Sequence, residues 1–149
     1  MIPFYKQEKN WSCGAAAFRM VLESLGIVKS ELKIRKLLVT NAKYGSRRSS
    51  FPLIAERYKL DYIVNRNSSF EELKFVYKKG YKIIVSYYLF DEKTGHFGVI
   101  EKLTSKYVYL IDPWNGRVRY SHNKFRRAWS TLDPKLTSKY KRWFFGVRN

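Results

Sequence analysis

The sequence is poor in cysteine, with a single one among 149 residues. Cys13 therefore cannot form a disulfide within the chain, and a lone thiol is compatible with a reducing compartment. Stability must come from a hydrophobic core, and 45% of the residues are hydrophobic. Repeats, linkers and low-complexity tracts are also missing. Because this length is typical of one domain, we predict a single domain over residues 1–149.

Long apolar runs are missing as well. No stretch approaches the ~18 uninterrupted apolar residues that a membrane-spanning helix needs. The first ten residues, MIPFYKQEKN, lack the apolar centre of a secretory signal peptide. We therefore expect a soluble, cytoplasmic protein without a membrane span.

Acidic residues are few, since 12 Asp and Glu face 30 Lys and Arg and leave a net charge of +18. Such a surface attracts polyanions and speeds encounter with acidic partners. The basic residues are scattered, which is typical of a solvated surface, although the 17% aromatic content could also serve base stacking. The sequence shows no zinc-knuckle spacing, glycine-rich RNA-binding signature or basic leucine-zipper pattern. The charge therefore indicates either a solvated surface or a binding site for nucleic acid or an acidic protein.

The hydrophobic pattern changes from helical in the first half to alternating in the second. Helices are predicted over residues 14–25, 30–38, 50–58, 69–79 and 121–130. Strands are predicted over residues 61–65, 81–89, 95–103, 106–113, 117–121 and 142–148. Ser30 and Ser69 precede two of the helices as caps, and Gly26 and Gly80 follow helix ends. Helices first and an antiparallel sheet second indicate an α+β fold.

Cys13 lies at the start of the first predicted helix. Unpaired N–H groups and the helix dipole stabilise negative charge there and lower the pKa of a thiol. Free cysteines are also common as buried packing residues. Cys13 is therefore either an activated nucleophile or a packing residue.

A nucleophilic cysteine needs a base, and the chain has two histidines, His96 and His122. His122 lies in a polar run at a predicted helix start, which is typical of a surface or capping residue. His96 opens a predicted strand, where it is either a base or a hydrogen-bonded strand residue. The next strand ends at Asp112, which could orient the imidazole of His96 or simply begin an Asp-Pro turn.

The hairpin between these strands makes the hypothesis specific. If His96 and Asp112 are directly paired, Lys102 opposes Lys106 and the loop consists of the three residues 103–105. A two-residue turn would place the two side chains on opposite faces of the sheet. We therefore expect a loop with an odd number of residues.

Gln7 completes the candidate site. Its amide could donate to the oxyanion of a tetrahedral intermediate beside the backbone N–H of Cys13, or it could be solvated. The order of Gln7, Cys13, His96 and Asp112 is hard to obtain from packing alone. No metal or cofactor is implied, because two histidines and one cysteine do not make a convincing zinc site.

These residues resemble the papain-like cysteine peptidases related to the bacteriocin-processing (double-glycine leader) peptidase domain. The resemblance is strongest over residues 3–27 and 95–131. It rests on Gln-x5-Cys-Gly-x-Ala followed by MVLESLGI, and on GHFGVIEKL, VYLIDPWNGRVRYS and KFRRAW. It implies a papain-like fold in which Gln7 lines the oxyanion hole, Cys13 is the nucleophile, His96 is the base and Asp112 orients it.

The chain also departs from the transporter-linked members of that group. They often carry Asp before the cysteine, where this chain has Ser12, and they are fused to a membrane span and an ATPase. The match is therefore better to stand-alone relatives, for which a Gly-Gly leader substrate is not implied. Trp114, Gly116 and Trp129 fall in the shared pattern and are expected to be structural.

The sequence thus predicts a cysteine peptidase that hydrolyses peptide bonds. One alternative keeps the site but lets an amine capture the thioester, which would make an acyl or peptidyl transferase. The other alternative is a non-catalytic basic domain that binds nucleic acid or acidic proteins.

Overall fold

A computed structural model describes residues 1–134 and 140–149. The helices in these ranges are α1 (Cys13–Ser24), α2 (Glu31–Leu37), α3 (Phe51–Arg57), α4 (Phe70–Lys78) and α5 (His122–Ser130), with a 3₁₀ helix (Arg48–Ser50) before α3. The strands are β1 (Asp61–Asn65), β2 (Lys82–Leu89), β3 (Thr94–Leu103), β4 (Tyr107–Asp112), β5 (Gly116–Ser121) and β6 (Phe144–Arg148). The prediction of an α+β fold is confirmed, and each predicted element lies within one or two residues of an observed one.

Local capping explains why the helix boundaries were predictable. The side chains of Ser30, Ser69 and Ser121 each accept a hydrogen bond from the backbone N–H three residues later, as N-cap residues do. Gly26 and Gly80 have positive φ angles of 86° and 85°, a conformation that glycine adopts without strain just after a helix.

The sheet has the strand order β1-β6-β2-β3-β4-β5, and all neighbours are antiparallel. The last strand, β6, lies inside the sheet between β1 and β2, and its residues Phe144, Phe145 and Val147 are fully buried. One hydrophobic cluster joins α1, α2 and α3 to one face of the sheet. A second cluster joins α4 and α5 to the other face, so helices cover both faces.

Helix α1 lies within the first cluster and packs on β2 and β3. Ala15, Ala16 and Ala17 have no exposed surface, so the helix is buried on more than the one apolar face that its periodicity indicates. Small side chains let a helix approach a sheet closely. This packing places the first residue of α1, Cys13, against the beginning of β3.

The predicted register of the β3–β4 hairpin is wrong. Val99 pairs with Ile111 and Ile100 with Leu110, and the register then shifts by one residue so that Leu103 pairs with Val108. Four residues, 104–107, therefore separate this last pair instead of the predicted three, and the last of them, Tyr107, already belongs to β4. A β-bulge at Glu101 absorbs the extra residue on β3, as bulges do in antiparallel pairs.

The bulge preserves the feature on which the functional hypothesis depends. Continuing the register beyond the pair of Val99 and Ile111 places Asp112 opposite Gly98. His96 is two residues from Gly98, so it lies on the same face as Asp112 and diagonal to it. The two side chains therefore meet as diagonal neighbours, not as the direct pair that was predicted.

Candidate active site

The beginning of α1 is arranged to stabilise a negative charge at Cys13. Ser12 is the N-cap residue, but its hydroxyl does not cap the helix. Instead, Ser12 Oγ donates to the carbonyl oxygen of Lys9 and accepts from the N–H of Lys9, both at 3.0 Å. The first turn carries no acidic side chain. The partial positive charge of the helix N-terminus therefore remains available to the thiol of Cys13.

The pKa of the Cys13 thiol is set by burial and by its neighbours. Burial raises the pKa of Cys13, but the charge of His96, a hydrogen bond with its imidazole and the backbone N–H groups of Phe97 and Gly14 outweigh burial. The net effect lowers the pKa of the thiol below its ordinary value. A lowered thiol pKa makes the nucleophilic thiolate available at neutral pH.

Gly14 follows Cys13 because the site leaves no room for a side chain there. A Cβ on Gly14 would lie 2.6 Å from Ser46 Oγ and 3.1 Å from a ring carbon of Phe97. Ser46 is buried and hydrogen-bonded to Thr40 at 2.7 Å, so it cannot move freely. The glycine thus lets the loop around Ser46 and the strand carrying His96 approach the beginning of α1.

His96 is held between two strands. Its Nε2 lies 2.8 Å from Oδ1 of Asp112 on β4, and its ring meets that of Tyr87 on β2 edge-to-face, at 5.8 Å between centroids. His96 is 7% exposed. Because Nε2 contacts the carboxylate, Nδ1 is the ring nitrogen left for Cys13. The structure thus brings together three residues that the sequence singled out.

The pKa shifts of Cys13 and His96 favour an ion pair. Burial lowers the pKa of His96, but the charge of Cys13 and the hydrogen bond to Asp112 outweigh burial and raise this pKa to about 10. Burial raises the pKa of Asp112, but the contact with His96 and nearby backbone N–H groups hold it well below its usual range. A lowered thiol pKa beside a raised imidazole pKa favours thiolate and imidazolium at neutral pH.

Asp112 is fixed by donors on all sides. Besides His96, Oδ1 accepts from the backbone N–H groups of Trp114 at 2.8 Å and Asn115 at 3.0 Å. Oδ2 accepts from Asn115 Nδ2 and from the Tyr87 hydroxyl, both at 3.2 Å. Sequence reasoning missed Tyr87 and Asn115. The Asp-Pro-Trp-Asn-Gly run indicates a side-chain turn that could have revealed Asn115, but a tyrosine in a strand gives no such signal.

Gly98 makes room for the bond between Tyr87 and Asp112. A Cβ at this glycine would lie 2.8 Å from the Tyr87 hydroxyl oxygen and 3.3 Å from the carbonyl oxygen of Ile111. The ring of Tyr87 therefore crosses β3 at a position that lacks a side chain. Gly98 is a third residue that sequence reasoning missed.

Gln7 is buried, with 5% of its surface exposed, so it is not the solvated residue of the alternative interpretation. Its backbone N–H donates to the carbonyl oxygen of Pro113 at 2.8 Å, which ties it to the residue after Asp112. Its Nε2 donates to Lys9 at 2.7 Å, while Oε1 has no partner among the described residues. One N–H of Nε2 remains for another acceptor.

A buried carboxylate holds the segment between Gln7 and Cys13. Glu31 is 1% exposed and accepts the backbone N–H of Glu8 at 2.9 Å. Arg35 bridges the two acids, at 3.0 Å from Glu8 and 3.2 Å from Glu31. Burial raises the pKa of Glu31. This cluster, which the sequence did not reveal, anchors the loop that precedes Cys13.

A cleft of about 250 Å³ opens beside Cys13 and His96. It is bounded by the loop from Ala42 to Ser46, by Arg48 and by the residues around Trp11. The cysteine and the histidine therefore face a space that could admit part of a chain. This volume is a little below the ~300–1,000 Å³ of typical ligand pockets.

The sequence matches a family model described as the peptidase C39 family over residues 1–133. This match includes Gln7, Cys13, His96 and Asp112. The chain belongs to the peptidase C39 family. It is accordingly a cysteine peptidase, a hydrolase of peptide bonds, and the resemblance found in its sequence is confirmed. A comparison with curated protein sequences finds no match.

Solved structures agree with the C39 fold. A double-glycine motif protease from an AMS/PCAT transporter, in complex with the leader peptide, is 22% identical, covers 99% of this chain and 91% of its own, and gives a TM-score of 0.75. A putative C39-like peptidase from Bacillus anthracis is 16% identical with 99% and 94% coverage and a TM-score of 0.75. The peptidase domain of Streptococcus ComA, a bifunctional ABC transporter, is 16% identical with 99% and 98% coverage and a TM-score of 0.73. The predicted papain-like fold is confirmed.

The other residues singled out in this C39 chain lie outside the cleft. His122 Nε2 is 2.8 Å from the carbonyl oxygen of Thr104, and its ring packs on Phe70 with centroids 4.9 Å apart. Trp129 is buried and donates from Nε1 to the carbonyl oxygen of Trp143 at 2.9 Å. His122 and Trp129 thus both join neighbouring elements on the α4–α5 side.

Trp114 and Gly116 belong to the turn after Asp112. Gly116 has a φ of 88°, a conformation that L-residues with side chains rarely adopt. Trp114 is 46% exposed and stacks under the ammonium of Lys6 at 4.7 Å. No helix in the described parts of this C39 chain combines the length and apolar character needed to cross a membrane.

Proposed function

We propose that Cys13, His96 and Asp112 form the catalytic triad of this peptidase and that Gln7 lines its oxyanion hole. The observation that carries the proposal is the coupled arrangement of the three side chains. His96 Nε2 lies 2.8 Å from the ionised Asp112, and the thiol and imidazole pKa values are shifted in opposite directions. This is the electrostatic pattern of a cysteine activated by a base that a third group orients.

In the first half of the reaction, the Cys13 thiolate attacks the carbonyl carbon of the scissile peptide bond. The carbonyl π electrons move to oxygen and give a tetrahedral oxyanion. When this intermediate collapses, the imidazolium of His96 gives its Nδ1 proton to the leaving amine, and a thioester on Cys13 remains. Asp112 keeps the Nε2 proton in place and stabilises the imidazolium.

In the second half, neutral His96 takes a proton from water, and the resulting hydroxide attacks the thioester carbonyl. Collapse of the second tetrahedral intermediate releases a carboxylic acid and returns the thiolate and imidazolium. If an amine took the place of water, the same steps would give a transferase. Both outcomes use the same three side chains.

Gln7 is proposed to stabilise the oxyanion in both halves. One N–H of its Nε2 is engaged by Lys9, which fixes the amide, and the other can donate to the oxyanion beside the backbone N–H of Cys13. Removal of one such donor commonly lowers kcat by about 10²–10³-fold. The hydrogen bond of Gln7 to Pro113 would keep this donor at a constant position relative to Asp112.

The substrate is proposed to be an extended peptide that enters the cleft beside Cys13. One structural neighbour is a protease in complex with a leader peptide, and the cleft of about 250 Å³ has room for a short part of a peptide around the scissile bond. Whether the peptide carries a double glycine is left to the cleavage experiment.

The net charge of +18 favours an additional role in which the surface attracts an acidic partner or, without sequence preference, nucleic acid. Such binding would weaken as salt concentration rises and would not need Cys13.

Location in the cytoplasm and organisation as a single domain also stay predictions.

The proposal is tested by incubating a proteome-derived peptide library with the wild-type protein and with the Cys13→Ala variant. We expect new peptide termini with the wild type only, found by mass spectrometry. Ligated peptides in place of free carboxyl ends would indicate the transferase. Equal products with both proteins would contradict the proposal. So would the absence of products with either protein while the Cys13 thiol of the wild type is intact.

A further inference from the structure

Arg48 is a cation in the wall of the active-site cleft. It lines the same cleft as Cys13 and His96, and it begins the 3₁₀ helix that precedes α3. The other charged side chains of this cleft are Lys43 and Asp133. The Asp133 carboxylate accepts the backbone N–H of Gly95 at 3.0 Å.

Three aromatic rings hold the guanidinium of Arg48. Its central carbon lies 5.1 Å from the ring centroid of Phe97, 5.0 Å from that of Tyr140 and 5.7 Å from that of Trp143. Cation–π contacts of this kind orient an arginine and exclude water from it. Since Phe97 follows His96 directly, one of the three rings around Arg48 belongs to the strand that carries the candidate base.

One N–H donor of this partly buried cation has no hydrogen-bond partner among the described residues. Burial lowers the pKa of Arg48, yet a guanidinium stays protonated in proteins. Its Nε is buried without a hydrogen-bond partner, and Arg48 takes part in no ion pair between described side chains. A buried N–H donor is usually hydrogen-bonded, so Nε of Arg48 is available to an acceptor that enters the cleft.

The Cys13 thiolate is an anion that acts on Arg48 through its charge, but the reaction consumes this charge. When the thiolate attacks a carbonyl, its charge moves to the oxyanion and then disappears in the neutral thioester. Arg48 would then face the acyl-enzyme without the charge of the thiolate. A carboxylate supplied by the substrate would keep it paired throughout the cycle.

We propose that Arg48 recognises a carboxylate of the substrate within a residue or two of the scissile bond. The planar guanidinium offers parallel N–H donors that match a carboxylate better than a lysine ammonium does. The carboxylate belongs either to an Asp or Glu side chain or to the C-terminus of the substrate. The inference rests on the proposed function, and it makes Arg48 a specificity-determining residue.

The first test uses the smallest carboxylate that reacts with the thiol. Iodoacetate and iodoacetamide both alkylate Cys13 with loss of iodide, and only iodoacetate carries a negative charge. For each reagent, the rate constant with Cys13 is divided by that with a free thiol. We expect the iodoacetate-to-iodoacetamide ratio of these values to be about tenfold or more higher in the wild type than in Arg48→Gln, as charge focusing in a cleft allows. Arg48→Lys should keep part of this preference.

The matched control is Arg47→Gln, which removes the same charge from the neighbouring, exposed position. It should leave the ratio near the wild-type value, because it changes only the general field of the protein. An unchanged ratio in Arg48→Gln, or an equal fall in Arg47→Gln, would overturn the proposal. If Arg48→Gln does not fold, a ratio in Arg48→Lys equal to the wild-type ratio would overturn it.

The second test identifies the source of the carboxylate. In the peptide library, the wild type should favour acidic side chains at one position beside the cleavage site, or free C-termini over amidated ones. Arg48→Gln should lose this preference while it still cleaves. If no peptide is cleaved but iodoacetate is still favoured through Arg48, the proposed peptidase reaction fails and the carboxylate site stands. If cleavage occurs without either preference, the carboxylate site fails alone.

Discussion

The carboxylate of Asp112 accepts hydrogen bonds from His96, from two backbone N–H groups and from the side chains of Tyr87 and Asn115. These donors hold its pKa well below the usual range, so it remains ionised when His96 is protonated. At the residue scale, the site therefore depends on a fixed negative charge behind the base. The contribution of this charge to activity can be separated from that of the individual hydrogen bonds.

Asp112→Asn should lower peptide hydrolysis by up to about 10⁴-fold, the loss seen when the acid of a serine-protease triad loses its charge. The new amide can donate to Nε2 of His96 and so favour the neutral tautomer with its proton on Nδ1. In that tautomer, Nδ1 can no longer accept the thiol proton. The pKa of Cys13 should rise with this change. Hydrolysis rates and the pH dependence of thiol alkylation measure the two effects.

The control at this scale is Tyr87→Phe. It removes one hydrogen bond to the carboxylate at 3.2 Å, a contribution of about 1.5–3 kcal/mol, but leaves the charge of Asp112 in place, so activity should fall by much less than in Asp112→Asn. Equal losses in Asp112→Asn and Tyr87→Phe would show that the charge of Asp112 is not what the base requires.

At the scale of elements, the beginning of α1 and the beginning of β3 must approach each other closely. Gly14 permits this approach, since a side chain there would collide with Ser46 and touch Phe97. Gly14, directly after the nucleophile Cys13, thus provides the space that the strand carrying His96 needs. The dependence of the site on this contact can be tested without changing a reacting group.

Gly14→Ala should destabilise the protein by about 1–3 kcal/mol, as overpacking does, and should slow alkylation of Cys13 by shifting the strand that carries His96. Urea denaturation measures the first effect. Ser46→Gly in the same chain removes the atoms closest to the new methyl group and should restore part of both losses. If the double variant is no better than Gly14→Ala alone, the contact with Ser46 is not the cause.

Elements were predictable where their signals are local. Serine caps and glycines beside helix ends marked the helices because each acts within one turn of its own position. The β3–β4 hairpin was predicted with the wrong register because the bulge at Glu101 depends on contacts across strands. Glu101 pairs with Arg117 on β5 at 2.9 Å, a contact that neither strand shows alone. The position of Arg48 among three rings was hidden for the same reason.

At the scale of the whole molecule, β6 joins the two halves of the chain. It lies between β1 and β2, so the C-terminal residues complete the core beneath the helices of the first half. The sequence predicted a closing strand at this place but could not predict its neighbours, because strand order depends on long-range packing. The candidate site could be proposed from residue types alone, since Cys, His and Asp carry chemistry wherever the fold places them.

The rate of iodoacetamide alkylation of Cys13 across pH 4 to 10 tests the central claim most directly. We would measure it in the wild type, in His96→Ala and in the matched control His122→Ala, whose histidine lies outside the cleft. Because the pKa of the thiol is lowered and that of His96 is raised, the wild-type rate should reach a plateau well below pH 8. His122→Ala should behave in the same way, and His96→Ala should lose the plateau. A thiol in the wild type that titrates near its ordinary pKa of about 8.5, or that reacts only after unfolding, would contradict an active Cys13–His96 pair.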